Sequence, residues 1–214
     1  YLKDDIFKII APIGKDKCDS GWFAAQILKD MGFDVTEEDM EELAGDYYWK
    51  DRWTGEMFAE VLLGREEYKD HPLLLPYREG GARGDNPYVN FYWDICAQGK
   101  PAYVPVHFIS LKEAVDLINK AGGIPILAHP GNNIHEDKKL LDGILDSGVK
   151  GMEVYSSYHS SEQIEFYRNE AESRNCLMTC GSDFHGKIKP AIELGGCRCD
   201  GNTEKKIIEN FIKI

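Results

Sequence analysis

Three apolar runs constrain the second half of the chain, at residues 124–128, 151–155 and 176–180. Each follows a stretch with helical period, so helix and strand alternate with short turns. That pattern predicts a parallel sheet or barrel, because parallel neighbours need a crossover and a helix supplies it. The ends of the runs are as informative as the runs. Ile-Pro-Ile-Leu-Ala-His129-Pro-Gly and Cys-Gly-Ser-Asp183-Phe-His185-Gly each pass abruptly from apolar residues to metal-ligand types. Gly-Met-Glu153-Val-Tyr runs into Ser156, Ser157, Tyr158 and His159. Imidazole and carboxylate hold catalytic divalent metals, and α/β enzymes place them where strands give way to loops.

The helices of this half have clear limits. Residues 111–121 form an amphipathic helix opened by Ser110, with Glu113 at its third position, and Gly122-Gly123 stops it. Helices are expected over 137–147, over 160–174 from a Ser160 or Ser161 cap, and over 203–213.

Before about residue 105 the period is mostly helical. Residues 20–31 carry Trp22, Phe23, Ile27, Leu28 and Met31 at helical spacing, closed by Gly32. Thr36-Glu-Glu-Asp39 is a capping-box pattern, and a third helix is expected over 54–63. Residues 64–87 are rich in Gly, Pro and Arg and read as a long loop, with a further helix at 89–98. The expected organisation is a helical part, 1–105, and an αβ-alternating part, 106–214.

Composition narrows the partners. The net charge of −12 argues against sequence-independent grip on duplex nucleic acid, which needs a basic surface. It leaves a phosphorylated small substrate open, because bound cations supply local positive charge. No apolar stretch approaches the roughly 18 residues of a membrane span. No basic segment followed by an apolar core suggests a signal peptide. Six cysteines are too sparse for a disulfide scaffold, and reduced thiols point to the cytoplasm. Cys197-Arg-Cys199 has the look of a metal grip, but no second pair stands at zinc-site spacing.

Ala-His129-Pro, Gly-Met-Glu-Val-Tyr…His159 and Gly-Ser-Asp183-Phe-His185 together resemble the C-terminal half of the PHP (polymerase and histidinol phosphatase) domain. The closest likeness is to its 3′,5′-nucleotide bisphosphate phosphatase and RNase AM branch. The resemblance implies part of a distorted (β/α)7 barrel, with residues 1–105 as an inserted helical subdomain. It makes His129, Asp183 and His185 metal ligands and Arg52 a phosphate contact, although of the family's Gly-Arg-Pro-His motif only the arginine stands in Asp51-Arg52-Trp53-Thr54. His159 becomes a candidate phosphate ligand or proton donor to the leaving oxygen, and Arg83 a weaker phosphate candidate.

The family's opening His-x-His and Thr-Asp-His motifs are missing, and His71, His107 and His135 do not replace them. The chain is therefore expected to be an incomplete fragment with little activity of its own. The implied cofactor is a divalent metal cluster, Mn2+ first, with Zn2+, Fe2+ or Mg2+ as alternatives. The implied substrate is a nucleotide or short oligonucleotide phosphate. A histidinol-phosphatase-like phosphomonoesterase and a non-catalytic module on the same scaffold are the alternative readings. The oligomeric state stays open.

Overall fold

A computed structural model of the chain describes residues 20–45 and 52–212. Asp51, named above, and Cys18, one of the six cysteines, lie outside the described residues. The chain forms two compact units, one comprising residues 109–184 and 192–212, the other residues 20–45, 52–108 and 185–191.

The first unit is built on a three-stranded parallel sheet of order β1-β2-β3. The strands are β1 (Ile126–Leu127), β2 (Gly151–Ser156) and β3 (Leu177–Gly181). Ile126 pairs with Gly151, and Gly151 with Leu177, with an irregularity between Glu153 and Tyr155. The expected strand over 124–128 contracts to two residues, because Pro125 has no N–H to give the ladder.

Five helices serve this sheet: α5 (Leu111–Lys120), α6 (Pro130–Asn133), α7 (Lys138–Asp146), α8 (Ser161–Ser173) and α9 (Gly201–Ile212). Helices α5 and α8 start at true capping boxes, Ser110 with Glu113 and Ser160 with Gln163. Asp137 caps α7 by accepting the Leu140 N–H. The core is Leu141, Met152, Val154, Tyr167 and Ala171, all fully buried, with Ile134 beside them. Apolar residues of β2 alternate with the larger faces of α7 and α8, so burial rather than ladder length holds these short strands.

The second unit holds α1 (residues 20–30), α2 (Glu37–Ala44), α3 (Gly55–Gly64) and α4 (Pro87–Phe91), the last passing into a π-helical turn, Tyr92–Cys96. Thr36 and Asp39 form the capping box read from the sequence, and Thr54 caps α3. The expected single helix at 89–98 differs: it starts at Pro87, whose fixed φ suits a first helical position, and widens to i→i+5 bonds before ending. Leu28, Phe33, Met40, Phe58, Leu62, Leu74 and Phe91 pack into one apolar core.

The long loop is ordered by two 3-10 turns, Glu66–Tyr68 and Leu75–Tyr77. Among the described residues no helix is long and apolar enough to cross a membrane.

Candidate metal centre

β1, β2 and β3 run parallel, so their C-terminal ends share one edge of the sheet. His129 stands just past β1 and Asp183 just past β3. Both have left-handed backbones, φ +29° and +56°. Such a conformation costs a residue with a Cβ about 1–3 kcal/mol and persists only where the surroundings enforce it. What enforces it here is visible. The Glu153 Oε2 accepts the His129 backbone N–H at 3.3 Å. Asn133 Nδ2 donates to the Ala128 carbonyl and lies 3.2 Å from His129 Nδ1.

Tyr158 joins the two strand ends. Its hydroxyl donates to Asp183 Oδ2 at 2.6 Å, and its ring meets the His129 ring edge-on with centroids 5.9 Å apart. Ser157 Oγ donates to the Ser182 carbonyl at 2.8 Å, a second tie between the loops after β2 and β3. Sequence reading named Tyr158 only in passing, since nothing in its spacing marks it as a bridge.

Whether a divalent cation suits this edge is decided by Glu153. Its Oε1 is buried and has no hydrogen-bond partner among the described residues. An unpartnered buried carboxylate oxygen is costly and calls for a cation or a donor. Gly181 leaves the space open, since a Cβ there would stand 3.3 Å from that oxygen. Imidazole and carboxylate suit Mn2+, Mg2+, Fe2+ or Zn2+ by ligand type, although among the described residues the ligand atoms of His129, Glu153 and Asp183 are not gathered within 4.8 Å of one another.

His159, read as a candidate phosphate ligand or proton donor, lies inside the sheet unit. The ring is fully buried. Nε2 accepts the Gly131 N–H at 3.0 Å and Nδ1 lies 2.8 Å from the Val154 carbonyl, which fixes the neutral tautomer protonated on Nδ1. It stacks on Tyr167 at 5.2 Å. Both nitrogens are engaged and no face is open, so the ring supports the loop after β1. Gly131 has to be glycine for this, because a Cβ would come within 2.7 Å of the imidazole.

Arg83, read as a weaker phosphate candidate, is paired within the helical unit. Its Nε and Nη2 bind the two oxygens of Asp94 at 2.9 and 3.0 Å, a bidentate pair that already fills the fork a phosphate would use. Asp94 also accepts the Tyr77 hydroxyl, whose pKa is pushed up to about 12 by burial and by that carboxylate. The Gly-rich loop is thereby pinned to the turn after α4. Arg52 is half-buried just ahead of Thr54, the cap of α3. His185 is exposed and opens the segment 185–191, which belongs to the helical unit.

Histidine and carboxylate residues thus stand where the parallel strands give way to loops. The chain is 37% identical over 100 residues to 3′,5′-nucleoside bisphosphate phosphatase of Chromobacterium violaceum, a match covering 45% of this chain and 35% of that protein. It is 33% identical over 102 residues to the 5′-3′ exoribonuclease Rnm of Salmonella typhimurium, covering 46% of this chain and 34% of that one.

Both stand in the phosphoesterase branch to which the motifs pointed, and the chain resembles that branch. The matched region spans about a third of these relatives' length. No family model matches the chain. Among solved structures, a metal-dependent phosphoesterase from Bifidobacterium adolescentis superposes with a TM-score of 0.70 at 22% identity, covering 94% of this chain and 65% of that one. An amidohydrolase from Chromobacterium violaceum gives 0.65 at 21% identity, with coverage of 94% and 66%. These likenesses place the mixed α/β fold.

Proposed function

We propose that this chain contributes to the centre of a metal-dependent phosphoesterase acting on nucleotide or short-oligonucleotide phosphates. Its three strands form part of a distorted (β/α)7 PHP barrel with an inserted helical unit. The observation that supports the reading is that His129 and Asp183 stand past the ends of β1 and β3 on one sheet edge, held by Glu153 and Tyr158, with one Glu153 oxygen buried and unpartnered. The names of the relatives, a bisphosphate phosphatase and an exoribonuclease, support the substrate class.

In this reading His129, Asp183 and, on the Asp-x-His motif, His185 are metal ligands, with Mn2+ the proposed ion. A bound divalent cation polarises a phosphoryl oxygen and lowers the pKa of a coordinated water. The chain's own residues do the positioning. Glu153 and Asn133 hold the His129 loop, and Tyr158 holds the Asp183 carboxylate by a charge-assisted hydrogen bond. His159 fixes Gly131 from beneath. Arg52 is the proposed phosphate contact, since a guanidinium matches phosphate bidentately.

The test is phosphate release by the longest natural form of the protein in Mn2+. A nucleoside 3′,5′-bisphosphate is set against a small amino-alcohol phosphomonoester. Preference for the bisphosphate supports the reading. Preference for the small monoester, or turnover that persists after thorough chelation, contradicts it.

A further inference from the structure

The two cysteines that found no partner pair in the sequence find one in the fold. Cys180 lies in β3, and Cys199 and Glu204 approach it from the loop before α9 and from the first turn of α9. The Cys180 and Cys199 sulfurs and a Glu204 carboxylate oxygen all lie within 4.8 Å of one another. Cys197, two residues before Cys199, is buried and lies outside that group of three. We propose that Cys180, Cys199 and Glu204 form a zinc site, separate from the His129–Asp183 edge.

Geometry supports a tetrahedral ion. Zinc–sulfur bonds of about 2.3 Å place thiolates roughly 3.8 Å apart, so the observed spacing closes on a metal with small side-chain movements. Two thiolates and a carboxylate supply three of the four tetrahedral positions, and the buried Cys197 stands two residues from Cys199. Thiolates are soft ligands and select zinc over the hard cations that suit the other centre. Arg198, between the two cysteines, has φ +54°, an enforced bend that lets both neighbours turn toward β3, and its Nη1 donates to the His159 carbonyl at 2.9 Å.

Packing supplies the need for such a site. Helix α9 contains no buried residue, and Ile208 and Ile212 are exposed, yet α9 rests on β3. Apolar burial is too thin to hold it there, and a metal bridging β3 to the first turn of α9 would hold it. The chain leaves this unit after Phe184 and returns at Ile192, so the same ion would fasten the returning segment to β3 at Cys180, three residues before Asp183. Without an ion the group is a set of crowded thiols. Burial and the neighbouring Cys180 thiol push Cys199 up to about 12, and a cation would displace those protons.

Cobalt substitution tests this without relying on activity. The reduced full chain is titrated with Co2+ under anaerobic conditions and followed by absorption. The expected result is a thiolate-to-cobalt charge-transfer band in the near ultraviolet with strong tetrahedral ligand-field bands. It should saturate at one equivalent and be displaced by Zn2+. Cys180→Ser and Cys199→Ser should lose the band, while His129→Ala should keep it. Bound Zn2+ should also protect these thiols from Ellman's reagent. Wild-type chain without the band, a band lost in His129→Ala but kept in Cys180→Ser, or a Cys180–Cys199 disulfide in freshly prepared protein would each overturn the proposal.

Discussion

The two units handle backbone strain differently. In the helical unit every described residue with positive φ is a glycine: Gly32, Gly45, Gly80, Gly99 and Gly186. In the sheet unit six residues with side chains take that conformation: His129, His135, Glu136, Asn175, Asp183 and Arg198. Glycine adopts left-handed φ at little cost, whereas other residues do so only under constraint. The helical unit therefore turns its corners cheaply and stabilises itself by a broad aromatic and aliphatic core. The sheet unit holds a smaller core, buries His159, Ser156 and Ser182, and concentrates constraint around two proposed ligands and one proposed metal knuckle. The comparison teaches where stability and function separate: substitutions in the first unit should lower stability, and those at the second unit's strand ends should lower function.

The largest expected effect falls on the helical core. Phe58, fully buried, should lose about 3–5 kcal/mol as Phe58→Ala, read by denaturant unfolding. A loss below about 1 kcal/mol would break the contrast. In the sheet unit, His159→Ala should cost about 1–3 kcal/mol, because it strands the Gly131 N–H and the Val154 carbonyl. The shape of the pH–rate profile should stay unchanged. A missing limb in that profile would restore the proton-transfer role first read for this residue. Arg52→Ala should lower kcat/KM by about 10–100-fold, or about 1–3 kcal/mol, with metal content intact. Unchanged kinetics, or loss of metal, would contradict its assignment as a phosphate contact.

The smallest effect is electrostatic. Glu170 binds Lys138 and Arg174 between α7 and α8, and Arg174 also reaches Asp142. The Lys138 hydrogen bond, then that from Arg174, outweighs burial and holds the Glu170 carboxyl below its ordinary 4.5. A depressed folded pKa adds stability above the unfolded value and loses it as pH falls through the folded one. Stability should therefore decline below about pH 4.5, and Glu170→Gln should flatten that decline while costing less than about 1 kcal/mol at neutral pH. An unchanged acid limb in the variant would assign the effect to other carboxylates.

Much of this was legible in the sequence. Caps at Thr36, Ser110 and Ser160 rest on local hydrogen bonds, which a four-residue window contains. The three strands and their polar ends followed from period and composition. What the sequence hid is what tertiary contact decides. Nothing near His159 shows that Gly131 and Val154 will occupy its two nitrogens, and nothing near Arg83 shows that Asp94 will face it. Cys180 and Cys199 are brought together only because α9 returns to β3. Tyr158 was invisible as a bridge for the same reason: its two contacts come from different loops.

The central claim is that the strand-end residues His129 and Asp183 hold a catalytic cation. Mn2+ binding measured by electron paramagnetic resonance on the longest natural form tests it directly, with wild type beside Asp183→Asn and the Tyr158→Phe variant that removes its hydrogen bond. The account predicts a wild-type site whose affinity falls by at least about 10–100-fold in Asp183→Asn and less in Tyr158→Phe. Equal Mn2+ binding by all three proteins would contradict it.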